Sequence, residues 1–484
     1  MSLNTKLTVT MLGICMLYVS PALYSQTQAD IGLDNESKAV DSVTPSDTPV
    51  LTLEECLEIA LNTNPTITVA DLEITRMDYT RKDVLAQLLP NVAFGANYSR
   101  TIAKQVAYMD FDMSSLMGGG AGAPDDSDSK SRASSNNSDG IKMGRDNSWQ
   151  LGFNASLPLI APQLWASLDL SDSQIAQSVE QARASRLNLI NQVSNAYYQL
   201  LLAHDSKRVI QESYDMAKLT NEIYTKQFQA GAASEYDVLR TSVAMKNVEP
   251  ELLQADIAVR RAQLQLHVLM GMPVEFVFDI AGQLADYENT MYNDALMLDM
   301  DYSNNTTLVM NTLQQNTMSQ SLKVAKRAWY PTLALSASYN WTSSSNGSPF
   351  TGLRWSPYSV VGLTLNLPIY QGGSRWNKIK EAEIQVEQLR LTRDDLEKSV
   401  AMQVNLARDN VMLNVKQIAS NAENVGQAER AHNIMEESFK IGAASYLELR
   451  DSELALTQTR LTYYQSIYNY LVARSELTLL LGRE

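Results

Sequence analysis

The chain has 484 residues, 54 acidic and 39 basic side chains, a formal net charge of -15 and 45% hydrophobic residues. That acidic balance argues against nucleic acid as a partner and for a surface facing water or a lumen. After the first residues no apolar run approaches about 18 residues, so no helical membrane span is expected and a membrane role must use strands.

Met1 to Lys6, an apolar run from about Val9 to Val19 and the small, polar stretch Ser20 to Gln26 have the layout of a secretory signal peptide. A run of roughly eleven residues is too short for a bilayer that takes about 20 helical residues. Cleavage is expected between Ser20 and Asp30, with 1–25 as the signal and 26–50 as a flexible amino-terminal segment. Ile14 precedes Cys15 and the apolar run continues beyond it, which disfavours a lipid anchor. With Cys15 lost, Cys56 alone remains, which rules out an internal disulfide and leaves no cysteine-based metal site. Cys56 itself reads as a small apolar residue buried on a helix face.

The next feature is internal similarity. Phe228, Gly231, Ala232, Ala233 and Ser234 recur as Phe439, Gly442, Ala443, Ala444 and Ser445, an offset of 211 (442 minus 231). The half-ends at Gly271 and Gly482 keep that offset, and Leu157-Pro158 and Leu367-Pro368 lie 210 apart. The chain therefore reads as a tandem duplication, with one structural repeat at 51–273 and a second at 274–484. Pro90 and Pro331 lie 241 apart, so the first half holds about 31 extra residues (241 minus 210) between these landmarks. They fall within about Lys104 to Asn147, where Gly118 to Gly120 and the run from Asp125 to Gly140 are too polar to bury a core. This stretch is read as a mobile polar loop.

Each half is predicted to run helix, strand, loop, strand, long helix, tight turn, second helix. Strands are expected at about 91–100 and 148–158, then at about 331–341 and 358–368. Their side chains alternate: Val92, Phe94, Ala96 and Tyr98 oppose Ala93, Gly95, Asn97 and Ser99, and Val361, Leu363, Leu365 and Leu367 oppose Gly362, Thr364 and Asn366. Ten-residue strands with one apolar and one small, polar face suit a transmembrane barrel, and Trp149, Trp341, Trp355 and Tyr358 near strand ends suit an interfacial girdle. Four strands cannot close a barrel, and an open edge in hydrocarbon leaves backbone groups unsatisfied. Other copies must supply the remainder, and geometry alone allows eight strands from a dimer or twelve from a trimer.

Helical hairpins are predicted at about 167–270 and 374–481, with no proline between Pro162 and Pro250 or after Pro368. Their long arms, about Ser167 to Ala230 and Ser374 to Ile441, would each reach roughly 100 Å. Val386, Leu389, Leu396, Val400, Val404, Ala407, Val411, Ile418 and Val425 form a narrow seam with coiled-coil spacing. Pro250 is expected to kink the shorter helix. His204, His267 and His432 fall on helices without metal-ligand spacing and are assigned to helical surface. No phosphate loop or nucleophile elbow occurs, so neither an enzyme nor a cofactor is expected.

Leu51 to Pro65, the Leu89-Pro90 strand entry, the Leu157-Pro158 and Leu367-Pro368 exits, Gln371 to Gly373 and the two Phe-x-x-Gly turns together resemble the TolC family of outer-membrane efflux proteins, or outer-membrane factors. The resemblance covers about Leu51 to Gly482. It implies an α+β membrane protein: a homotrimer whose 12-stranded β-barrel, four strands per protomer, continues into a 12-helix periplasmic α-barrel in the outer membrane of a Gram-negative bacterium. It further implies a passive exit duct of a tripartite efflux or type I secretion system, contacting outer-membrane lipid, a periplasmic adaptor (membrane fusion protein) and an inner-membrane pump of RND or ABC type. A structural periplasmic scaffold or adhesin is the alternative, one that leaves the alternating strands unexplained.

By the same resemblance Glu448 and Asp451, six and nine positions beyond Gly442, would form acidic rings that narrow the tunnel, with Asp237 beside them. The adaptor would dock on Phe228, Gly231, Ala232, Ala233 and Ser234 and on Phe439, Gly442, Ala443, Ala444 and Ser445. Asp237 matches an aspartate that in the family holds the closed tip through an arginine two residues past the second glycine. Ala444 occupies that place here, so the lock is expected to differ.

Overall fold

The computed structural model describes residues 49–107, 141–273, 275–288 and 300–483. The expected signal peptide, nearly all of the 26–50 segment and the centre of the polar loop lie outside the described residues. A small unit comprises, among described residues, Pro49–Val50 and Val277–Asp279, where the Asp279 N–H donates to the Pro49 carbonyl at 3.0 Å. The rest of the described chain forms one large unit.

In the large unit, Thr52 and Glu55 cap α1 (Leu53–Thr63) reciprocally. The Glu55 N–H donates to Thr52 Oγ1 at 3.3 Å and the Thr52 N–H to Glu55 Oε2 at 2.8 Å. Pro65 holds its predecessor extended, so Asn64 (φ -68°, ψ 125°) ends α1 and caps α2 (Pro65–Ala86), accepting from the Thr66 N–H at 2.8 Å. The one leading helix expected in the first half is thus two. Cys56 is fully buried, and burial pushes its thiol up to about 11.

The first half continues with β1 (Asn91–Arg100), β2 (Gln105–Ala107), β3 (Ile141–Met143), β4 (Asn147–Ile160), α3 (Pro162–Gln229, 68 residues) and α4 (Glu235–Met270, 36 residues). The second half has α5 (Thr306–Arg327), β5 (Thr332–Ser345), β6 (Ser356–Asn366), α6 (Ser374–Lys440, 67 residues) and α7 (Tyr446–Leu481, 36 residues). The long arms match the predicted hairpins, each about 100 Å at 1.5 Å per residue. β2 pairs with β3, so the arms of the polar loop form a short ladder that its composition does not reveal. β4 is also longer than predicted: pairing with β5 continues to Ile160, with a register shift between Pro158 and Ile160, next to a proline that has no N–H to give.

α3 packs on α4 and α7, and α6 packs on α7. Leu187, Leu200, Leu201, Ile467 and Leu471 are almost wholly enclosed. The predicted seam of α6 is buried at Val400, Val404, Ala407, Val411 and Ile418 and half-buried at Val386, Leu389, Leu396 and Val425. α4 is helical throughout, Pro250 included. Two histidines depart from the surface assignment: His267 and His432 are only 5% and 4% exposed. Each sits on the packed side of its hairpin, and His432 Nδ1 lies 3.2 Å from Ser452 Oγ. A polar ring on a long helix reads as surface until the neighbouring helix is placed.

The half-ends are closed by the same clamp. Asn64 Nδ2 donates to the Leu269 carbonyl and Asn305 Nδ2 to the Leu480 carbonyl, both at 2.7 Å. Each asparagine also caps the helix behind it, Asn305 accepting from the Thr307 N–H at 3.0 Å. Gly271 and Gly482 take φ +68° beside these caps. A Cβ would stand 2.8 Å from the Thr63 carbonyl oxygen at the first and 2.1 Å from that of Asn304 at the second.

Candidate functional site

Two regions carry the candidate function, the sheet and the two hairpin turns. The sheet is antiparallel with strand order β1-β4-β5-β6. Its register brings the predicted apolar positions to one face. Phe94, Phe153 and Tyr339 share one row, and Val92, Ala155, Ala337 and Val361 the next. The opposite face carries Asn154 with Ser338 and Ser156 with Ser336. Strand pleat alone dictates this separation once the pairing is in register.

Aromatics lock the apolar rows. The rings of Phe94 and Phe153 lie 5.0 Å apart, Tyr98 and Trp149 4.4 Å, and Tyr339 and Trp341 4.6 Å. The Trp149 indole N–H donates to the Pro349 carbonyl at 3.0 Å. On the polar face Gly152 has no room for a side chain, because a Cβ there would stand 2.0 Å from Asn340 Oδ1. Apolar residues of the outer strands are open: Val92 is 66% exposed and Val361 73%. β1 and β6 each have one neighbour in the sheet among the described residues, so both edges are unpaired.

The two turns are built alike. Gly231 (φ +76°) and Gly442 (φ +77°) are the left-handed residues of matching helix stops. The Gly231 N–H donates to Phe228 O at 2.9 Å and the Ala232 N–H to Gln227 O at 2.8 Å. Gly442 and Ala443 do the same to Phe439 at 3.0 Å and Ser438 at 2.8 Å. A new helix then starts at once. Ser234 and Ser445 cap α4 and α7, and the third residue of each helix, Asp237 or Glu448, returns the bond. Phe228, Gly231, Ala232 and Ser234 are exposed, as are Gly442, Ala443 and Ser445, while Ala233, Phe439 and Ala444 are half-buried.

The predicted constriction residues fall beside these turns. Glu448 is exposed, and its Oε2 accepts the Ser445 N–H at 2.7 Å and the Ser445 hydroxyl at 2.9 Å. The backbone bond, then the hydroxyl bond, holds its carboxyl below the ordinary glutamate value of 4.5. Asp237 Oδ2 accepts the Ser234 hydroxyl at 2.6 Å, and Asp451 is exposed on the first turns of α7. Within one protomer, then, Glu448 and Asp237 are capping groups, and Asp451 has an open face.

Sequence reasoning missed what joins the two turns. Tyr224 of α3 lies 5.7 Å from the Tyr446 ring in T-shaped contact and 6.5 Å from the Phe439 ring, and the Arg240 guanidinium sits 5.4 Å over Tyr446. Farther along, Arg460 bonds both Glu212 at 2.9 Å and Glu429 at 2.8 Å, tying three helices. These contacts join the two hairpins within one protomer. The signal in the sequence was an arginine six residues after Ser234 and a tyrosine directly after Ser445, which only the fold brings together.

Among the described residues no group of three or more His, Cys, Asp or Glu side chains could hold a metal ion, and no helix is long and apolar enough to cross a membrane. A family model described as outer membrane efflux protein matches residues 56–272 and 298–483. The chain is similar to the outer membrane protein TolC of Vibrio cholerae, at 20% identity over 333 residues, 68% of this chain and 76% of that protein. It is also similar to the cobalt-zinc-cadmium resistance protein CzcC of Cupriavidus metallidurans, at 23% identity over 300 residues, 60% of this chain and 67% of that one. Its fold is that of the CmeC outer membrane channel of Campylobacter jejuni, with a TM-score of 0.66 at 16% identity, covering 89% of this chain and 85% of the other.

Proposed function

The chain belongs to the outer membrane efflux protein family, and on that premise we propose that three copies assemble into the exit duct of a tripartite efflux or type I secretion system. The protein resides in the outer membrane with its helical portion in the periplasm. In the proposed trimer each sheet supplies four of twelve barrel strands, and the two hairpins supply four of twelve tunnel helices. We read the chain as a tandem duplication, on the strength of the matching turns, hairpin lengths and asparagine clamps.

The observation that carries the proposal is the sheet: one face apolar and open, one face small and polar, both edges unpaired among the described residues. In hydrocarbon every edge N–H and C=O left without a partner costs several kcal/mol, so such a sheet is stable there only if other copies close it. Closure turns the apolar face to lipid and the polar face to a water-filled lumen. The duct is passive, and energy and cargo choice come from an inner-membrane pump of RND or ABC type through a periplasmic adaptor. We place adaptor docking at the small, exposed residues of the two turns.

Glu448 and Asp451, with Asp237, are the proposed constriction. Three copies of each acid would ring the tunnel and favour cations over anions. The test is single-channel recording of a Glu448→Ala, Asp451→Ala double variant. Cation preference and block by trivalent cations should both weaken; unchanged selectivity removes these residues from the constriction.

A further inference from the structure

Where the second half passes from helix to strand and back, the surface differs from the rest of this acidic chain. No Asp or Glu occurs between Asp301 and Glu381, yet that stretch carries Lys323, Lys326 and Arg327 at the end of α5 and Arg375, Lys378 and Lys380 at the start of α6. The corresponding first-half junction mixes both signs: Asp78 and Asp83 stand with Arg81 and Lys82 on α2, facing Asp169 and Asp172 on α3, and Arg81 pairs with Asp172 and Lys82 with Asp78. At the offsets of 210 and 241, Arg375 is replaced there by Trp165, and Lys326 and Arg327 by Leu85 and Ala86.

The same junction is aromatic and open. Trp329, Tyr370, Gly373, Arg375 and Trp376 are among the residues lining a slot between the end of α5 and the start of α6. Ile369 and Tyr370 are 83% and 84% exposed, and Ile369 follows the exposed Leu363, Leu365 and Leu367 at two-residue spacing. The Arg375 guanidinium lies 6.0 Å over the Trp329 ring and donates one N–H to the Pro368 carbonyl at 3.3 Å, while Lys380 lies 5.1 Å over Trp376. α6 adds the positive end of its dipole: it opens at Gly373 with no side-chain cap and no acid in its first turn.

We propose that this slot seats an anionic phospholipid of the periplasmic leaflet, its phosphate against Arg375 between Trp329 and Trp376, its acyl chains along Ile369, Leu367 and Leu365. The occupant follows from position and charge. The slot lies at the helix end of the sheet, where apolar strand surface gives way to the periplasmic helices; Lys326 and Lys380 are ion-paired with Glu383 at 3.2 and 2.9 Å, so the headgroup is assigned to Arg375 among the open aromatic rings. Arginine matches phosphate oxygens with paired N–H donors, which an ammonium cannot do as well. The inference rests on the reading of the apolar sheet face as lipid-facing, and not on the constriction or the adaptor.

The full chain, extracted in detergent and stripped of lipid, would be titrated with phosphatidylglycerol, with a diacylglycerol of the same chains and with inorganic phosphate, and bound species counted by native mass spectrometry. Phosphatidylglycerol should be retained at one molecule per protomer, and diacylglycerol and phosphate should not. Arg375→Gln should weaken retention by about tenfold or more, the loss of one charge-assisted pair. Arg375→Lys should recover part of it, and Trp165→Phe at the first-half junction should change nothing. Equal retention of diacylglycerol would reduce the slot to an apolar surface, and phosphate binding as tightly alone would make it an anion site without lipid; either overturns the proposal. So does unchanged retention in an Arg375→Gln protein that still assembles and conducts, a result that leaves the duct standing. A protein that needs no detergent at all would overturn the duct and the lipid site together.

Discussion

The two hairpin turns of this chain are built alike, whereas its two helix-to-strand junctions differ. Both turns stop a long helix at a left-handed glycine and restart another within a few residues on a serine cap, with the same bonds and nearly the same angles. The junctions share a place in the fold, but the first sets carboxylates beside cations, whereas the second has no acid from Tyr302 to Lys380 and opens Trp329, Tyr370 and Trp376 to solvent. Backbone geometry conserves the first pair, since a reversal between two helices needs a C′ glycine and an N-cap whatever surrounds it. Nothing in the backbone fixes the side chains at a junction, so they are free to follow what each one touches.

The most forceful way to break the likeness between halves is at the half-end glycines. Gly482→Ala should be the more damaging of the pair, because its Cβ meets the Asn304 carbonyl oxygen at 2.1 Å, while at Gly271 the nearest atom is 2.8 Å away. Each also incurs the left-handed penalty of roughly 1–2 kcal/mol. Thermal melting of the extracted protein should rank wild type above Gly271→Ala above Gly482→Ala; equal melting points would mean that the two clamps are not packed as described.

A smaller change sharpens the same comparison. Asn64→Ala and Asn305→Ala each remove a cap and a 2.7 Å bond across the half-end, and each should cost about 1–2 kcal/mol. If both clamps do the same work, the two losses should be of similar size and, at these separated sites, should add in the double variant to within about 0.5 kcal/mol. A large inequality, read by denaturant titration, would show that only one half depends on its clamp.

The smallest effect expected is at the tip. Glu448 has its folded pKa lowered by the Ser445 bonds, so its contribution is fully present above the ordinary value of 4.5 and is lost as pH falls through the lowered folded value. Hydrogen exchange at the start of α7 should therefore quicken in acid, and Glu448→Gln should remove that dependence. Exchange that stays pH-sensitive after correction for intrinsic rates, in the glutamine variant, would assign the effect to another group.

What could be read from the sequence follows the range of the interactions. The Phe-x-x-Gly turns and the alternating faces are set by residues within a few positions of one another, and the repeat and the two-residue period point to them; the serine caps are as local, yet the resemblance marks Ser234 and Ser445 only as docking residues. The half-ends were legible as matching offsets, but the asparagine clamp joins Asn64 to Leu269, a pairing no local pattern specifies. The same limit hid the meeting of Tyr224, Arg240 and Tyr446 and the burial of His267 and His432. β2 and β3 were hidden differently: three paired residues in a polar loop carry too little apolar surface to be noticed.

The central claim is that an open four-stranded sheet is closed by further copies of this chain into a conducting barrel. Native mass spectrometry of the membrane-extracted protein, followed by planar-bilayer recording of the same preparation, addresses it most directly. The account predicts a trimer that passes current in discrete, cation-preferring steps; a monomer, soluble without detergent and electrically silent, would contradict it.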